Sequence, residues 1–200
     1  ILVIGGIFGA VPAYIVLIKP EVGVLSLFFL APLIPTMALA GIVIYTFACW
    51  LLKFFRGKRV LRLEPIDIVV MMFAAILLSG GFISLSPGSL QPALLMVCLI
   101  FGYFLTVNMS DRREWLIKCT AAIAISGTIV SLYGIFVYYT HIGYYSTAWL
   151  DSSMFEGIQN RAVSTLENPN MLGEYLIIII PIVLAMLIGK DRVLNRLPNG

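Results

Sequence analysis

The sequence predicts an all-α protein: a polytopic transmembrane bundle of six or seven spanning helices, forming one domain across residues 1–200. Three observations carry that prediction. Hydrophobic residues make up 60% of the chain and charged residues only 12%, whereas soluble chains carry about 25% charged residues. The apolar residues fall in runs, several as long as the roughly 17–25 residues a helix needs to cross a bilayer. Proline, glycine or charge bounds each run, as helix ends usually are bounded. A fold in water could not bury this much apolar surface, so lipid is the solvent for most of it.

The first run, residues 1–18, stops at Lys19-Pro20-Glu21. The second, residues 22–52, is interrupted by Ala31-Pro32-Leu33-Ile34-Pro35-Thr36 and reads in two ways. As one long tilted helix it leaves Lys19 outside and gives six crossings. As two helices turning at the prolines it gives seven, each half short for a crossing. The split is favoured because it moves Lys19 to the side that holds most basic residues. A third run goes from Ile66 to about Ser86, and Glu64-Pro65 with Asp67 suits a helix start. The fourth is Pro92–Met109, and the fifth is Trp115–Thr140, before which Asp111 and Glu114 have capping-box spacing. The sixth is Pro169–Gly189, with Asn168 as N-cap and Pro169 at the first helical position. Gly80, Gly81, Gly127 and Gly134 read as close-packing points between helices.

Charge orients the bundle. Lys53, Arg56, Lys58, Arg59 and Arg62 form one cluster, Arg112, Arg113 and Lys118 a second, and Lys190, Arg192 and Arg196 a third. The clusters alternate with nearly uncharged connections. The positive-inside rule puts them in the cytoplasm of a cell whose inner membrane holds the protein. The turn at 87–91 and the loop at 141–168 are then extracytoplasmic. No continuous basic stripe exists for a phosphate backbone, so nucleic acid is not an expected partner. Cys49, Cys98 and Cys119 lie in or beside apolar runs and read as buried thiols, without disulfide or metal spacing. His141 is the one histidine and has no companion ligands, so neither metal nor cofactor is expected. The chain opens Ile1-Leu2-Val3 without a basic n-region, and is expected to be part of a larger bundle rather than to carry a signal peptide.

The one long polar segment, His141–Asn168, is where chemistry is expected. Tyr138, Tyr139, Tyr144, Tyr145 and Trp149 fit an interfacial aromatic belt, or alternatively a platform for a sugar or prenyl chain. Arg161 is the single arginine on the outer side. Ser164, Thr165, Asn168 and Asn170 follow it at a helix N-terminus, a combination suited to an anion and above all to phosphate. The alternative is an Arg161 paired with Glu156 or Glu167 to close the loop. Glu174 stands one turn beyond Asn170 on the same face, an ionisable group near membrane depth and therefore a functional candidate.

From Arg161 to Pro181 the chain reads RAVSTLENPNMLGEYLIIIIP. This resembles the arginine, Ser/Thr, Asn-Pro-Asn, apolar-helix pattern of the O-antigen ligase and polymerase superfamily; the rest of the chain matches it only in hydropathy. The resemblance implies a membrane glycosyltransferase. Such an enzyme moves a glycan from undecaprenyl diphosphate to an acceptor hydroxyl, on a glycan or lipid, outside the membrane. It implies a catalytic Arg161 that stabilises the leaving diphosphate without a metal, and a substrate cradle of Arg161, Ser164, Thr165, Asn168, Asn170 and Glu174. The family's general base lies on a later loop that nothing here matches, so this stretch alone is expected to be inactive. Two other classes stand beside it: a transporter of the bicarbonate-carrier kind, and a non-catalytic membrane assembly subunit. A carrier needs polar groups on broken helices at mid-membrane, for which Ser79, Ser84, Ser126 and Thr128 are weak material.

Overall fold

Proline fixes where most of the helices begin. The computed structural model describes residues 11–84, 86, 88–109, 113–140 and 161–188, which contain helices and no strand. Helix α1 covers residues 11–18, followed by α2 (Pro20–Leu30), α3 (Thr36–Phe55), α4 (Pro65–Ile83), α5 (Leu90–Met109), α6 (Arg113–Thr140) and α7 (Pro169–Ile188). Pro20, Pro65 and Pro169 each occupy a first helical position, where the missing N–H leaves no bond unmade. Five helices, α3 to α7, are long and apolar enough to cross a membrane. Their outer faces present side chains such as Ile76, Phe82 and Ile177, each at least 65% exposed, which only lipid can accommodate. The chain is a multi-pass membrane protein.

The apolar stretch at 22–52 is two helices turning at Pro32 and Pro35, but they are unequal. Because α3 starts immediately after Pro35 and runs on to Phe55, its 20 residues span a full bilayer. With 11 residues, α2 reaches only about 16 Å and is too short to cross.

The described residues form two compact bodies. The first comprises residues up to Leu27 together with Pro35–Trp115. Here α5 packs against both α3 and α4. Tyr45 Oη donates to Ala13 O at 2.8 Å and Lys53 Nζ donates to Ile18 O, so α1 and α3 run in the same direction. Gly23 of α2 lies so close to Thr46 of α3 that a Cβ would collide with the Thr46 side chain. Helix α3 ends in a Schellman motif: Gly57 N donates to Phe54 O and Lys58 N to Lys53 O, both at 2.9 Å, with Gly57 at φ +68°. An ion pair between Arg59 and Glu21 then ties the linker to the start of α2.

A capping box opens α4. Glu64 N donates to Asp67 Oδ2 at 2.7 Å, and the Glu64 side chain accepts from the Asp67 amide. The box expected at Asp111 and Glu114 lies partly outside the described residues. Asp67 is fully buried, and its second oxygen accepts from Tyr103 Oη of α5 at 2.7 Å. Of the glycine pair in α4, Gly81 faces Ala93 at 2.7 Å from an added Cβ, while Gly80 meets open space and is no packing point. Cys49, Cys98 and Cys119 are buried thiols, none of them in a disulfide.

The second body comprises Phe28–Ile34 and the chain from Leu116 onward. Helices α6 and α7 are antiparallel, since Gly127 lies against Ile179 and Gly134 against Leu172. A Cβ on Gly127 would stand 2.6 Å from Ile179 Cγ2, so both glycines are packing points. The end of α2 and the turn after it are held in this body through backbone carbonyls, such as the last ones of a helix, which lack a partner within it. Ser126 Oγ donates to Phe29 O at 2.7 Å, and Thr165 Oγ1 to Pro32 O at 2.6 Å.

Candidate functional site

Residues 161–168 reach the start of α7 through three irregular residues, a 3₁₀ turn at Ser164–Leu166 and a left-handed Glu167. Ser164 Oγ donates to Val130 O at 2.6 Å. Val130 lies ten residues before the end of α6. At about 1.5 Å per residue, Ser164 sits roughly 15 Å down the helix from that end. The segment therefore dips along α6 instead of lying above it. Non-helical backbone at such depth persists only where protein satisfies its polar groups, which the hydroxyls of Ser164 and Thr165 help to do.

Those two hydroxyl hydrogens are consequently engaged by Val130 O and Pro32 O. Ser164 is buried and Thr165 half-buried, so in this arrangement they brace the segment and offer an anion no O–H. The bracing holds strain. Ser164 at φ +55° and Glu167 at φ +60° are the two non-glycine residues with positive φ among those described, a conformation costing about 1–2 kcal/mol for an L-residue. Strain of this kind concentrates at functional segments.

Asn168 caps α7 as its sequence position foretells, its Oδ1 accepting from Asn170 N at 2.8 Å. Pro169 has no N–H, and Leu172 N donates to Asn168 O at 3.0 Å. The first turn thus leaves an incoming anion one amide, that of Met171. Arg161 is exposed and has no hydrogen bond or ion pair among the described residues. Glu156, one of its two possible loop partners, lies outside them, as do His141, Tyr144, Tyr145 and Trp149. Asn170 and Glu174 are both exposed, one turn apart on one face of α7.

A cavity of about 410 Å³ lies between α6 and α7, and Ala162, next in sequence to Arg161, forms part of its wall. Gly134, Ile135, Leu172 and Leu176 give it an apolar floor; Ser131, Tyr138 and Tyr139 edge it with hydroxyls. Its size is within the roughly 300–1,000 Å³ of ligand pockets. The sequence points to Tyr138 and Tyr139 as belt residues or as a platform for a sugar or prenyl chain, and does not place them at a cavity. The sequence gives no sign of Tyr175, whose hydroxyl is buried on α7 near Ser126. Its apolar neighbours Ile177–Ile180 disguise it as another lipid-facing position.

Comparison with protein-family models, with curated proteins and with solved structures finds no match to this chain.

Proposed function

We propose that the chain belongs to a membrane glycosyltransferase of the O-antigen ligase or polymerase type. It would bind undecaprenyl-diphosphate-linked glycan with the diphosphate at Arg161 and the first isoprene units in the α6–α7 cavity. The observation that carries this reading is the exposed Arg161 guanidinium, next in sequence to a wall of an apolar cavity and eight residues before a capped helix start. An amphiphilic anion needs that pairing of a charged fork and an apolar trough. Asn170 and Glu174, exposed on one face of α7, are placed to meet sugar hydroxyls, while Ser164 and Thr165 act by holding the segment in place.

Mechanistically, an acceptor hydroxyl attacks the anomeric carbon, the bond to the diphosphate oxygen breaks, and negative charge grows on the leaving group. A fixed guanidinium binds that developing charge more strongly than the ground state, which is what lowers a barrier. The extracytoplasmic side and the inner membrane belong to this proposal, through the positive-inside distribution of the basic clusters. A carrier is the weaker reading: Ser79, Ser126 and Thr128 donate to backbone carbonyls at 2.7–2.9 Å, which leaves Ser84, just past the end of α4, as the one of the four candidates whose hydroxyl hydrogen is not engaged among the described residues.

The test is transfer by the complete protein in membrane vesicles supplied with the lipid-linked glycan and an acceptor. The wild-type chain should transfer and Arg161→Lys should not, with membrane insertion equal for both. Equal transfer by the variant would end the leaving-group role.

A further inference from the structure

We propose that the hollow of the first body seats one acyl chain of an anionic phospholipid, with the phosphate resting on the basic linker after α3. The cavity measures about 450 Å³ and lies among α3, α4 and α5. Trp50, Phe54 and Phe104 line it from the helices, and Leu61 and Leu63 close it from the linker. Apolar hollows exclude water, and in a bilayer the abundant apolar occupant is a lipid tail.

One further observation selects the kind of lipid. Trp50 is 4% exposed and lends the apolar part of its ring to the lining, which makes it a reporter of an occupant. The selecting observation is charge. Leu61 and Leu63 flank Arg62, whose amide is fixed by Asn108 Oδ1 at 2.7 Å, so the cavity ends where the linker's cations begin. Lys53 and Arg59 are engaged by Ile18 O and Glu21. Arg56 and Lys58, either side of the Schellman glycine, are exposed and make no ion pair among the described residues. A basic rim above an inter-helical hollow is the arrangement that holds anionic head groups. This site is in the other body from Arg161 and does not depend on the transferase reading.

The experiment uses these 200 residues with Trp115→Phe and Trp149→Phe, leaving Trp50 as the one tryptophan among them. It is reconstituted in phosphatidylcholine bilayers containing increasing brominated-chain phosphatidylglycerol or brominated-chain phosphatidylcholine. Brominated phosphatidylglycerol should half-quench Trp50 at about a tenfold lower mole fraction, and Arg56→Gln with Lys58→Gln should bring the two lipids level. Equal quenching by both lipids in the unsubstituted rim, or none by either, overturns the proposal. Displacement of the brominated phosphatidylglycerol by a trace of isoprenyl phosphate would assign the seat to a different lipid and overturn it as well. Native mass spectrometry of the unaltered protein gives a second reading. One phosphatidylglycerol should be retained and then lost in the double rim variant; no adduct, or equal retention of phosphatidylethanolamine, contradicts it.

Discussion

A carboxylate with no exposed surface is the most demanding single residue in the first body. Asp67 is stabilised there by the Glu64 amide on one oxygen and the Tyr103 hydroxyl on the other, each at 2.7 Å. Removing one donor from a buried acceptor costs about 1–3 kcal/mol, more when the acceptor is charged. Tyr103→Phe should therefore lower stability by about that amount in detergent thermal unfolding, whereas Tyr138→Phe, on a partly exposed ring, should change it little. Equal stability of Tyr103→Phe and the wild type would show that Asp67 does not rely on this bond. The sequence marks Asp67 as a first-turn acid, because that is a local rule. Its partner is 36 residues away on another helix, and nothing in an apolar pattern says which helices touch. Ser164 and Thr165 illustrate the same limit. Their place beside Arg161 suggests anion donors, but acceptors 34 and 133 positions away take their hydrogens.

Among the elements, α2 sets the hardest geometric condition. It is too short to cross, so its contact with α3 must be close, and Gly23 against Thr46 provides that closeness. Gly23→Ala forces a Cβ into the Thr46 side chain and should destabilise by about 1–3 kcal/mol. Thr46→Ala removes the obstructing atoms and also a buried hydroxyl that has no hydrogen-bond partner. The double variant should therefore recover most of the loss. A loss that is simply additive would mean that the two residues are not in contact. Helix existence and most boundaries were legible in the sequence, since proline, charge and run length act locally. The unequal division of residues 20–55 was not, because the end of α2 and the turn after it depend on Ser126 and Thr165 taking up the carbonyls of Phe29 and Pro32.

At the scale of the whole molecule, the alternation of basic and uncharged connections follows from the sequence, and five full-length apolar helices make the chain a multi-pass membrane protein. The sidedness that follows from the positive-inside rule is directly measurable. A cysteine at Ser86, in the connection between α4 and α5, should react with an impermeant thiol reagent added outside, and one at Lys58 only after the membrane is opened. The reverse pattern would invert the protein and put Arg161 in the cytoplasm. Composition and run length were enough to recognise the membrane. They did not reveal the α6–α7 cavity, because its walls come from residues as far apart in sequence as Ser131 and Leu176.

The measurement closest to the central claim is the steady-state rate of glycan transfer by Arg161→Lys at saturating donor. A guanidinium that stabilises the leaving diphosphate acts on the transition state, so kcat should fall by about 10²–10³-fold with little change in KM for the lipid-linked donor. An unchanged kcat with only a raised KM would reduce Arg161 to a ground-state contact and contradict the account.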